Sequence, residues 1–351
     1  MVNDTSRSAP TGPTVLVLGG TGFIGRALVK RLLHDGIGVR ALVRNTSGRA
    51  EWLARQGVEL VRGDIADTAS VAVALDGIQS VYLLSRASGP AWADYRRLDV
   101  EPTRRLADLC CARGIGVYYT SSIAIYDGGC AGELITESTP PSRAATRLST
   151  YARAKVANET LLAEMHRQRG LNVVVFRPGI VIGAGGSPRH PGVGAWPDPA
   201  TCRPWGGGHH RLPFVLVDDC ADAMARALHV PGIAGESFNL VGDACLSGNE
   251  YLDALERITG TRIKRSPRPA WRLFAQSLVR WCINRLAGAA EHPMPSYRYC
   301  DGLSCRASYL ADQAKQRLGW VPASDPSVLI ERGIAVPVAG PGPSAGCAEL
   351  G

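Results

Sequence analysis

The chain alternates short apolar runs with longer segments whose apolar positions recur every three to four residues. The short runs are rich in β-branched residues and apolar at consecutive positions, a pattern typical of strands buried on both faces. The longer segments have the period of amphipathic helices. The predicted strands cover residues 14–18, 39–43, 58–61, 80–84, 116–120 and 172–176, and the predicted helices cover 23–34, 48–55, 69–75, 92–112 and 150–168.

Strands that alternate with helices favour a parallel sheet, since each crossover between parallel strands needs a helix-sized connection. We therefore predict an α/β fold, a doubly wound parallel sheet of the Rossmann type with a smaller C-terminal substrate-binding lobe. The expected divisions are a flexible N-terminus at 1–13, a dinucleotide-binding domain at 14–180 to which about 213–230 returns, a mainly substrate-binding lobe at 181–336 and a flexible tail at 337–351.

The pattern changes after Pro178. Residues 183–213 are rich in Gly, Pro and Trp and show little periodicity, which predicts a long ordered loop. Loops of this length in a compact domain are usually functional or disordered. Beyond the loop, the lobe is predicted to contain helices at 219–229, 247–259, 270–286 and 309–318 and a strand at 236–241.

Apolar residues make up 45% of the chain and charged residues 20%, the balance of an ordinary globular protein. No apolar run approaches the roughly 20 residues that cross a bilayer, and the polar start lacks the apolar core of a secretion signal. We therefore expect a cytoplasmic location. The ten cysteines form no CxxC pairs and are predicted to be reduced thiols.

The formal net charge is +8, but the cations are scattered, with no basic block and no interleaved aromatic stripe. An anionic cofactor or small-molecule substrate accounts for this charge as well as nucleic acid would, and we predict no nucleic-acid partner. His190, His209 and His210 lack Cys or carboxylate partners at metal-ligand spacing. No metal site is predicted.

A glycine-rich turn follows the first strand directly, in the sequence Gly19-Gly-Thr-Gly-Phe-Ile-Gly25. Gly19 permits the tight turn, Gly22 lets the backbone approach a pyrophosphate, and Gly25 lets the helix pack closely on the strand. The free N–H groups at the start of the helix then face the phosphates. The turn predicts a dinucleotide site.

The end of the second strand bears on which dinucleotide binds. An NAD site usually has an acidic residue there for the ribose 2′-hydroxyl, whereas this chain has Val43 followed by Arg44, with Arg40 earlier in the strand. A guanidinium group binds a phosphate through two parallel hydrogen bonds. NADP(H) is therefore the favoured cofactor, with NAD(H) as the alternative.

Tyr151 and Lys155 are four residues apart at the start of a predicted helix, so both side chains lie on one face. A nearby ammonium is expected to lower the pKa of a phenol toward the working range of an acid/base. Ser122 follows the fifth strand, at the edge of the sheet where ligands bind. These three residues are the predicted catalytic group.

Together these motifs resemble those of the extended short-chain dehydrogenase/reductases, the NAD-dependent epimerase/dehydratase family, over roughly residues 14–335. The segment Thr120–Tyr126 resembles the family's catalytic serine segment, and Phe214–Asp219 and Leu318–Pro322 resemble two later segments. The resemblance implies cofactor contacts by Gly19, Gly22, Phe23, Ile24, Gly25, Asp64, Ile65, Leu84, Ser85, Tyr151, Lys155, Pro178 and Gly179.

The chain departs from the family pattern at several positions. Asp99 stands where the family often has Asn, and Pro102 where it often has Gly. Arg177 and Leu212 replace an Asn and an Arg that many sugar-nucleotide epimerases carry. These losses favour a reductase or dehydrogenase over an epimerase or dehydratase that uses the same site. A non-catalytic NADP(H)-binding sensor or assembly factor is the third alternative.

The predicted reaction is hydride transfer between nicotinamide and a carbonyl or alcohol, with Tyr151 as acid/base. Aromatic residues in the long loop are suited to stack on a substrate ring or, equally, only to hold the loop in place. The predicted substrate residues are Tyr126, Arg177, Trp196, Trp205, His209 and His210.

The segment 270–286 is amphipathic, with an apolar set of Trp271, Phe274, Leu278 and Trp281 and with three arginines. We expect its apolar side to face the protein core, with contact to a membrane or an acyl substrate as the alternative. The resemblance further implies a homodimer through the helices at 92–112 and 150–168.

Overall fold

Among the residues described by the computed structural model, seven parallel strands form the main sheet. The predicted α/β fold of the Rossmann type is confirmed. The order of the strands reverses between the first and the fourth, and the crevice at such a point is where doubly wound sheets bind ligands. In spatial order the strands are Ser237–Leu240 (β13), Val173–Pro178 (β7), Gly116–Thr120 (β5), Ser80–Leu83 (β4), Val15–Leu18 (β1), Val39–Val43 (β2) and Glu59–Arg62 (β3).

The structure describes residues 15–46, 48–87, 89, 91–126, 134–267, 269–286, 294–295, 297, 300 and 307–339. The predicted flexible N-terminus at 1–13 and residues 340–351 of the predicted tail lie outside these ranges. Residues 337–339 belong to a helix and Pro337 is buried, so the tail does not begin at 337 as predicted.

The helices lie near their predicted positions. Two short π-helical turns, Arg96–Val100 and Glu331–Ala335, continue neighbouring helices. The helices are Phe23–His34 (α1), Arg49–Arg55 (α2), Thr68–Ala74 (α3), Trp92–Tyr95 (α4), Glu101–Arg113 (α5), Thr150–Arg169 (α6), Val217–Ala227 (α7), Gly248–Thr259 (α8), Ala270–Leu286 (α9), Asp312–Leu318 (α10), Pro326–Ile330 (α11) and Val336–Ala339 (α12).

Alternate residues of β1 enter different cores because successive side chains of a strand point to opposite faces. Val15 and Val17 pack in the core that α1 and α7 cover, whereas Leu16 and Leu18 pack in the core that α5 and α6 cover. The main sheet is therefore buried on both faces, as its continuous apolar strands predicted.

The C-terminal lobe has its own apolar core, which includes Phe214, Tyr251 and Leu252. The predicted loop at 183–213 is ordered, but it contains a β-hairpin that the weak periodicity did not reveal. Short strands outside the main sheet are Leu134–Ile135 (β6), Ile180–Ile182 (β8), Gly194–Asp198 (β9), Thr201–Pro204 (β10), Arg211–Leu212 (β11), Phe214–Leu216 (β12), Leu246–Ser247 (β14), Lys264–Arg265 (β15) and Ser308–Tyr309 (β16).

One prediction about the lobe is wrong. The strand predicted at 236–241 is β13, which pairs in parallel with β7 and so belongs to the main sheet. The helix α9 has no fully buried residue, but Phe274, Leu278 and Trp281 of its predicted apolar side are half-buried. Within the described residues, no helix combines the length and the apolar character that a membrane span requires.

Candidate active site

The glycine turn after β1 has the close contacts that its residue types predicted. Gly19 has a φ of 93°, and a Cβ atom there would lie 2.8 Å from the backbone nitrogen of Ser85. A Cβ atom on Gly25 would collide with the carbonyl oxygen of Gly19. The turn therefore packs against the ends of β1 and β4 only because both residues are glycines.

The start of α1 is suited to bind an anion. Gly22 is its N-cap, and no side chain caps the first-turn N–H groups. Nearby, at the end of β5, the hydroxyls of Thr120 and Ser121 are buried without a hydrogen-bond partner among the described residues. Uncapped N–H groups at the positive end of a helix favour phosphate, and a ligand would satisfy the two hydroxyls. The residues present fit a dinucleotide.

The other predicted cofactor residues also lie at the ends of the strands. Leu84 and Ser85 follow β4, and both donate a backbone N–H to the carbonyl oxygen of Leu18. Asp64 and Ile65 follow β3 and are half-buried. Pro178 ends β7, and the next residue is Gly179, at which a Cβ atom would collide with the Pro213 carbonyl oxygen.

The end of β2 presents arginine and no carboxylate. Arg44 is exposed there. Arg40 points elsewhere, since its guanidinium binds Glu59 at 2.9 Å and the carbonyl oxygens of Ala74 and Asp76. Burial lowers the pKa of Arg26, and the positive charge of Arg49, on α2, lowers that pKa further. These two guanidinium groups therefore lie near each other.

Ser122, Tyr151 and Lys155 converge at the carboxyl end of β5. Ser122 follows the strand, and its hydroxyl lies close enough to the Tyr151 phenol, at the start of α6, to lower the pKa of that phenol. Lys155, one turn further along α6, is buried, and its Nζ donates to the Thr120 carbonyl oxygen at 2.8 Å. The same Nζ lies 5.8 Å from the ring centre of Tyr151. The predicted group therefore comes together in space.

The pKa of Tyr151 does not move in the predicted direction. Burial raises this pKa. The interaction with Ser122 and the positive charge of Arg86 both lower the pKa, but by less than burial raises it. Burial also lowers the pKa of Lys155. The expectation that Lys155 lowers the pKa of Tyr151 was therefore wrong, because the lysine is itself deeply buried and bonded to backbone.

Two charged residues beside Tyr151 were not predicted as site residues. Arg86 is exposed after β4, and its guanidinium lies 6.0 Å from the ring centre of Tyr151. Asp99 is only 5% exposed, in the π-helical turn between α4 and α5, and accepts a hydrogen bond from Asn158 at 2.9 Å. Its charge raises the pKa values of Tyr151 and Lys155.

The departure from the family pattern at Asp99 was the signal that could have marked that residue. Arg86 gave no signal, since only the fold brings the residue after β4 next to α6.

Arg177 and Tyr126 are buried rather than open to a substrate, contrary to prediction. The Arg177 guanidinium pairs with Glu159, with 2.7 Å between Nη2 and Oε2, and both side chains are 6% exposed. It also donates to the Tyr126 hydroxyl at 2.8 Å. That hydroxyl donates to Asn239 Oδ1 at 2.7 Å. The cluster ties β7, α6 and β13 together.

The indole N–H groups of the hairpin region donate hydrogen bonds to backbone carbonyl oxygens. Trp196 Nε1 donates to the carbonyl oxygen of His190 at 3.2 Å, and Trp205 Nε1 to that of Pro191 at 2.8 Å. Burial lowers the pKa of His190 to about 4, so the ring is neutral near pH 7. His209 is exposed and His210 is half-buried. The described residues contain no group of three side chains that could hold a metal ion.

Two segments predicted from resemblance meet in the structure. Trp320 is buried, and its Nε1 donates to the Asp219 carbonyl oxygen at 2.8 Å. The Asp219 carboxylate accepts a hydrogen bond from the N–H of Ala323. The C-terminal segment is thereby fixed to the start of α7.

Comparisons with known proteins agree with this fold. The profile of the NAD dependent epimerase/dehydratase family matches residues 15–240, and the chain belongs to that family. It is an NAD(P)-dependent enzyme of the extended short-chain dehydrogenase/reductase type.

Individual relatives cover most of the chain. An uncharacterised protein of Sinorhizobium fredii is 30% identical over 91% of this chain and 77% of its own length. The 2-alkyl-3-oxoalkanoate reductase of Stenotrophomonas maltophilia is 28% identical over 91% of this chain and 97% of its own. The structure of UDP-glucuronic acid 4-epimerase from Bacillus cereus in complex with NAD has a TM-score of 0.70 at 20% identity, covering 92% of this chain and 98% of that one. This last likeness shows the fold.

Proposed function

We propose that the protein is an NADP(H)-dependent oxidoreductase that moves hydride between the nicotinamide and a carbonyl or alcohol, with Tyr151 as the acid/base. The observation that carries this proposal is the convergence of Ser122, Tyr151 and Lys155 at the carboxyl edge of the sheet, where the glycine turn also lies. When bound, the nicotinamide supplies the hydride chemistry.

In this proposal the side chains hold the substrate oxygen and move its proton. Ser122 and Tyr151 both contact that oxygen, and the phenol supplies or removes the proton. Lys155 fixes the end of β5 through the Thr120 carbonyl and binds the nicotinamide ribose. Holding these groups in place before the reaction accounts for much of the rate gain in such sites.

The exposed guanidinium of Arg86, beside Tyr151, fits a substrate with an anionic group near its reacting carbon. A 3-oxo acid has that chemistry, and one relative is named as a reductase of 2-alkyl-3-oxoalkanoates. An arginine binds a carboxylate bidentately. We therefore infer that the substrate class is a carbonyl compound with a nearby carboxylate.

The test is a spectroscopic screen for oxidation of NADPH by 3-oxo acids, by the methyl esters of the same acids, and by neutral ketones. Turnover of the acids with kcat/KM well above that of the esters is expected. Oxidation of none of these compounds would remove the reductase assignment. Equal rates with acids and esters would remove the role of Arg86 while leaving the reaction class intact.

Family membership also supports a second candidate, a nucleotide-sugar epimerase or dehydratase that uses the same residues. Such an enzyme retains its cofactor tightly and shows no net change in nicotinamide absorbance when its substrate turns over. Incubation with UDP-sugars, followed by chromatography of the products, distinguishes it from the reductase. The buried ion pair of Arg177 favours the reductase, because this residue stands where many epimerases have Asn.

The preference for NADP(H) is supported by exposed Arg44 at the end of β2 and by the neighbouring guanidinium groups of Arg26 and Arg49. Arg44→Gln should weaken binding of NADPH by about tenfold and leave binding of NADH nearly unchanged. Titration of the protein fluorescence with both cofactors measures this. Arg55→Gln, at an exposed position on α2, is the matched control. Equal weakening for both cofactors would contradict the preference.

A cytoplasmic location and a homodimer through the helices at 92–112 and 150–168 stay predictions. Cell fractionation tests the first, and sedimentation velocity of the full chain tests the second.

A further inference from the structure

The net positive charge of the chain is concentrated in residues 261–310. This segment contains nine Lys and Arg residues and two Asp and Glu residues, which gives seven of the eight net charges. No carboxylate side chain occurs between Glu256 and Glu291. The cations are spaced apart, so the asymmetry arises from missing carboxylates rather than from a contiguous basic run. The description of the cations as scattered was correct but incomplete, because it did not consider where carboxylates are absent.

Helix α9 lies within this segment and presents an apolar face to the outside. Its half-buried residues all lie on one side and are Ala270, Leu273, Phe274, Ser277, Leu278, Trp281 and Asn284. The opposite side combines small and large apolar residues, of which Trp271 is 57% exposed, Val279 59%, Ile283 60% and Leu286 90%. A surface helix of an ordinary globular protein has a polar outer side, whereas α9 has large apolar residues on its outer side as well as on its inner side.

Helix α9 also carries three arginines. Arg272, Arg280 and Arg285 are all exposed, and the helix contains no Asp or Glu. The Arg272 guanidinium lies 5.2 Å from the ring centre of Trp271, and that of Arg285 lies 5.5 Å from the ring centre of Trp281. Tryptophan and arginine together are typical of helices that lie at the boundary between lipid headgroups and acyl chains.

The inner side of α9 rests on the hairpin of the lobe. Leu273 and Gln276 line a cavity of about 80 Å³ together with Ala195, Arg203, Pro204 and Trp205. The helix is thus supported by the protein on one side. Its length of about 25 Å and its arginines suit a helix that lies along a surface.

We propose that α9 docks the protein on an anionic phospholipid surface, with Trp271, Val279, Ile283 and Leu286 inserted among the headgroups. The three exposed arginines of α9 supply the complementary charge, since each cation near an anionic leaflet contributes to binding. This inference does not depend on the proposed reaction.

Two other occupants fit the surface less well. Nucleic acid would leave the exposed aliphatic side chains without apolar contact, and protein–nucleic acid interfaces are more polar than this face. A second copy of the chain would bring the arginines of two α9 helices together, and neither helix carries an Asp or Glu to pair with them. An anionic bilayer satisfies both the charge and the apolar side chains.

The test is sedimentation of the full-length protein with vesicles of phosphatidylcholine alone and of phosphatidylcholine mixed with phosphatidylglycerol. Binding to the mixed vesicles is expected, with a loss at about 0.5 M salt, where charges are screened beyond a few ångströms. Val279→Glu should lower the bound fraction about tenfold, since it places a carboxylate in the apolar face. Arg280→Gln should lower it less.

Matched controls keep the result interpretable. Val321→Glu changes a valine that is 83% exposed outside the segment and should bind as the unchanged protein does. Arg55→Gln is the control for charge. Thermal unfolding verifies that each variant is folded. Failure to bind mixed vesicles, equal loss with Val321→Glu, or a dimer that Val279→Glu dissociates would each overturn the proposal.

Discussion

Helix α6 carries two charged side chains one turn apart, Lys155 and Glu159, in very different surroundings. Glu159 accepts two close hydrogen bonds from the Arg177 guanidinium, and both partners are almost fully buried. Lys155 is just as buried, yet its Nζ donates to a backbone carbonyl oxygen and lies 4.8 Å from the ring centre of Tyr119. One charge is paired directly, and the other is bound to neutral groups.

This difference separates a structural cluster from a reactive one. A paired buried charge is held in one ionisation state, because removing either partner leaves an uncompensated charge. Around Lys155 and Tyr151, Arg86 and Asp99 act with opposite signs, so ionisation depends on a balance of burial and charge. Groups with perturbed pKa values in such surroundings are typical of functional sites.

The largest expected effect is on turnover, at the reactive cluster. Tyr151→Phe removes the group that exchanges the proton, and we expect turnover to fall roughly a hundred- to ten-thousandfold. Stability and binding of NADPH should change little. Steady-state rates, fluorescence titration and thermal unfolding measure the three quantities. Unchanged turnover would remove the catalytic role of Tyr151.

The next expected effect is on stability, at the structural cluster. Glu159→Gln leaves the Arg177 charge buried without its counterion and should cost about 3 kcal/mol of the free energy of unfolding, measured by denaturant titration. Turnover of the folded fraction should change far less than in Tyr151→Phe.

The double variant Glu159→Leu with Arg177→Met removes both charges and is the control for the ion pair. It should be less destabilised than Glu159→Gln. If the two variants are equally stable, the direct pairing is not what distinguishes the two clusters.

The smallest expected effect is a shift of the pH profile. Arg86 lowers the pKa of Tyr151 and Asp99 raises it, although burial remains the largest cause. Arg86→Gln should therefore shift the pH at which the rate of alcohol oxidation rises to a higher value. Asp99→Asn should shift it to a lower value. Profiles of kcat against pH test this, and shifts of the same sign in both variants would contradict it.

Much of the fold was predictable because its signals are local. The strands of the main sheet and the helices that flank it agree with their predicted bounds to within about two residues. The spacing of apolar residues that predicts these elements involves only residues close together in the sequence. The hairpin at β9 and β10 was missed, because Gly and Pro interrupt the alternation of apolar and polar residues in these strands. The edge position of β13 was missed, since strand order is a long-range property.

By itself the sequence determined the glycine turn, the spacing of Tyr151 and Lys155 on one helical face, and the position of Ser122 after a strand, because each depends on a few adjacent residues. Only the tertiary structure decided which charges meet. It buried Arg177 against Glu159, placed Arg86 and Asp99 beside Tyr151, and left a second set of apolar residues of α9 exposed. Burial and charge environment depend on groups far apart in the chain, and the folded chain alone brings them together.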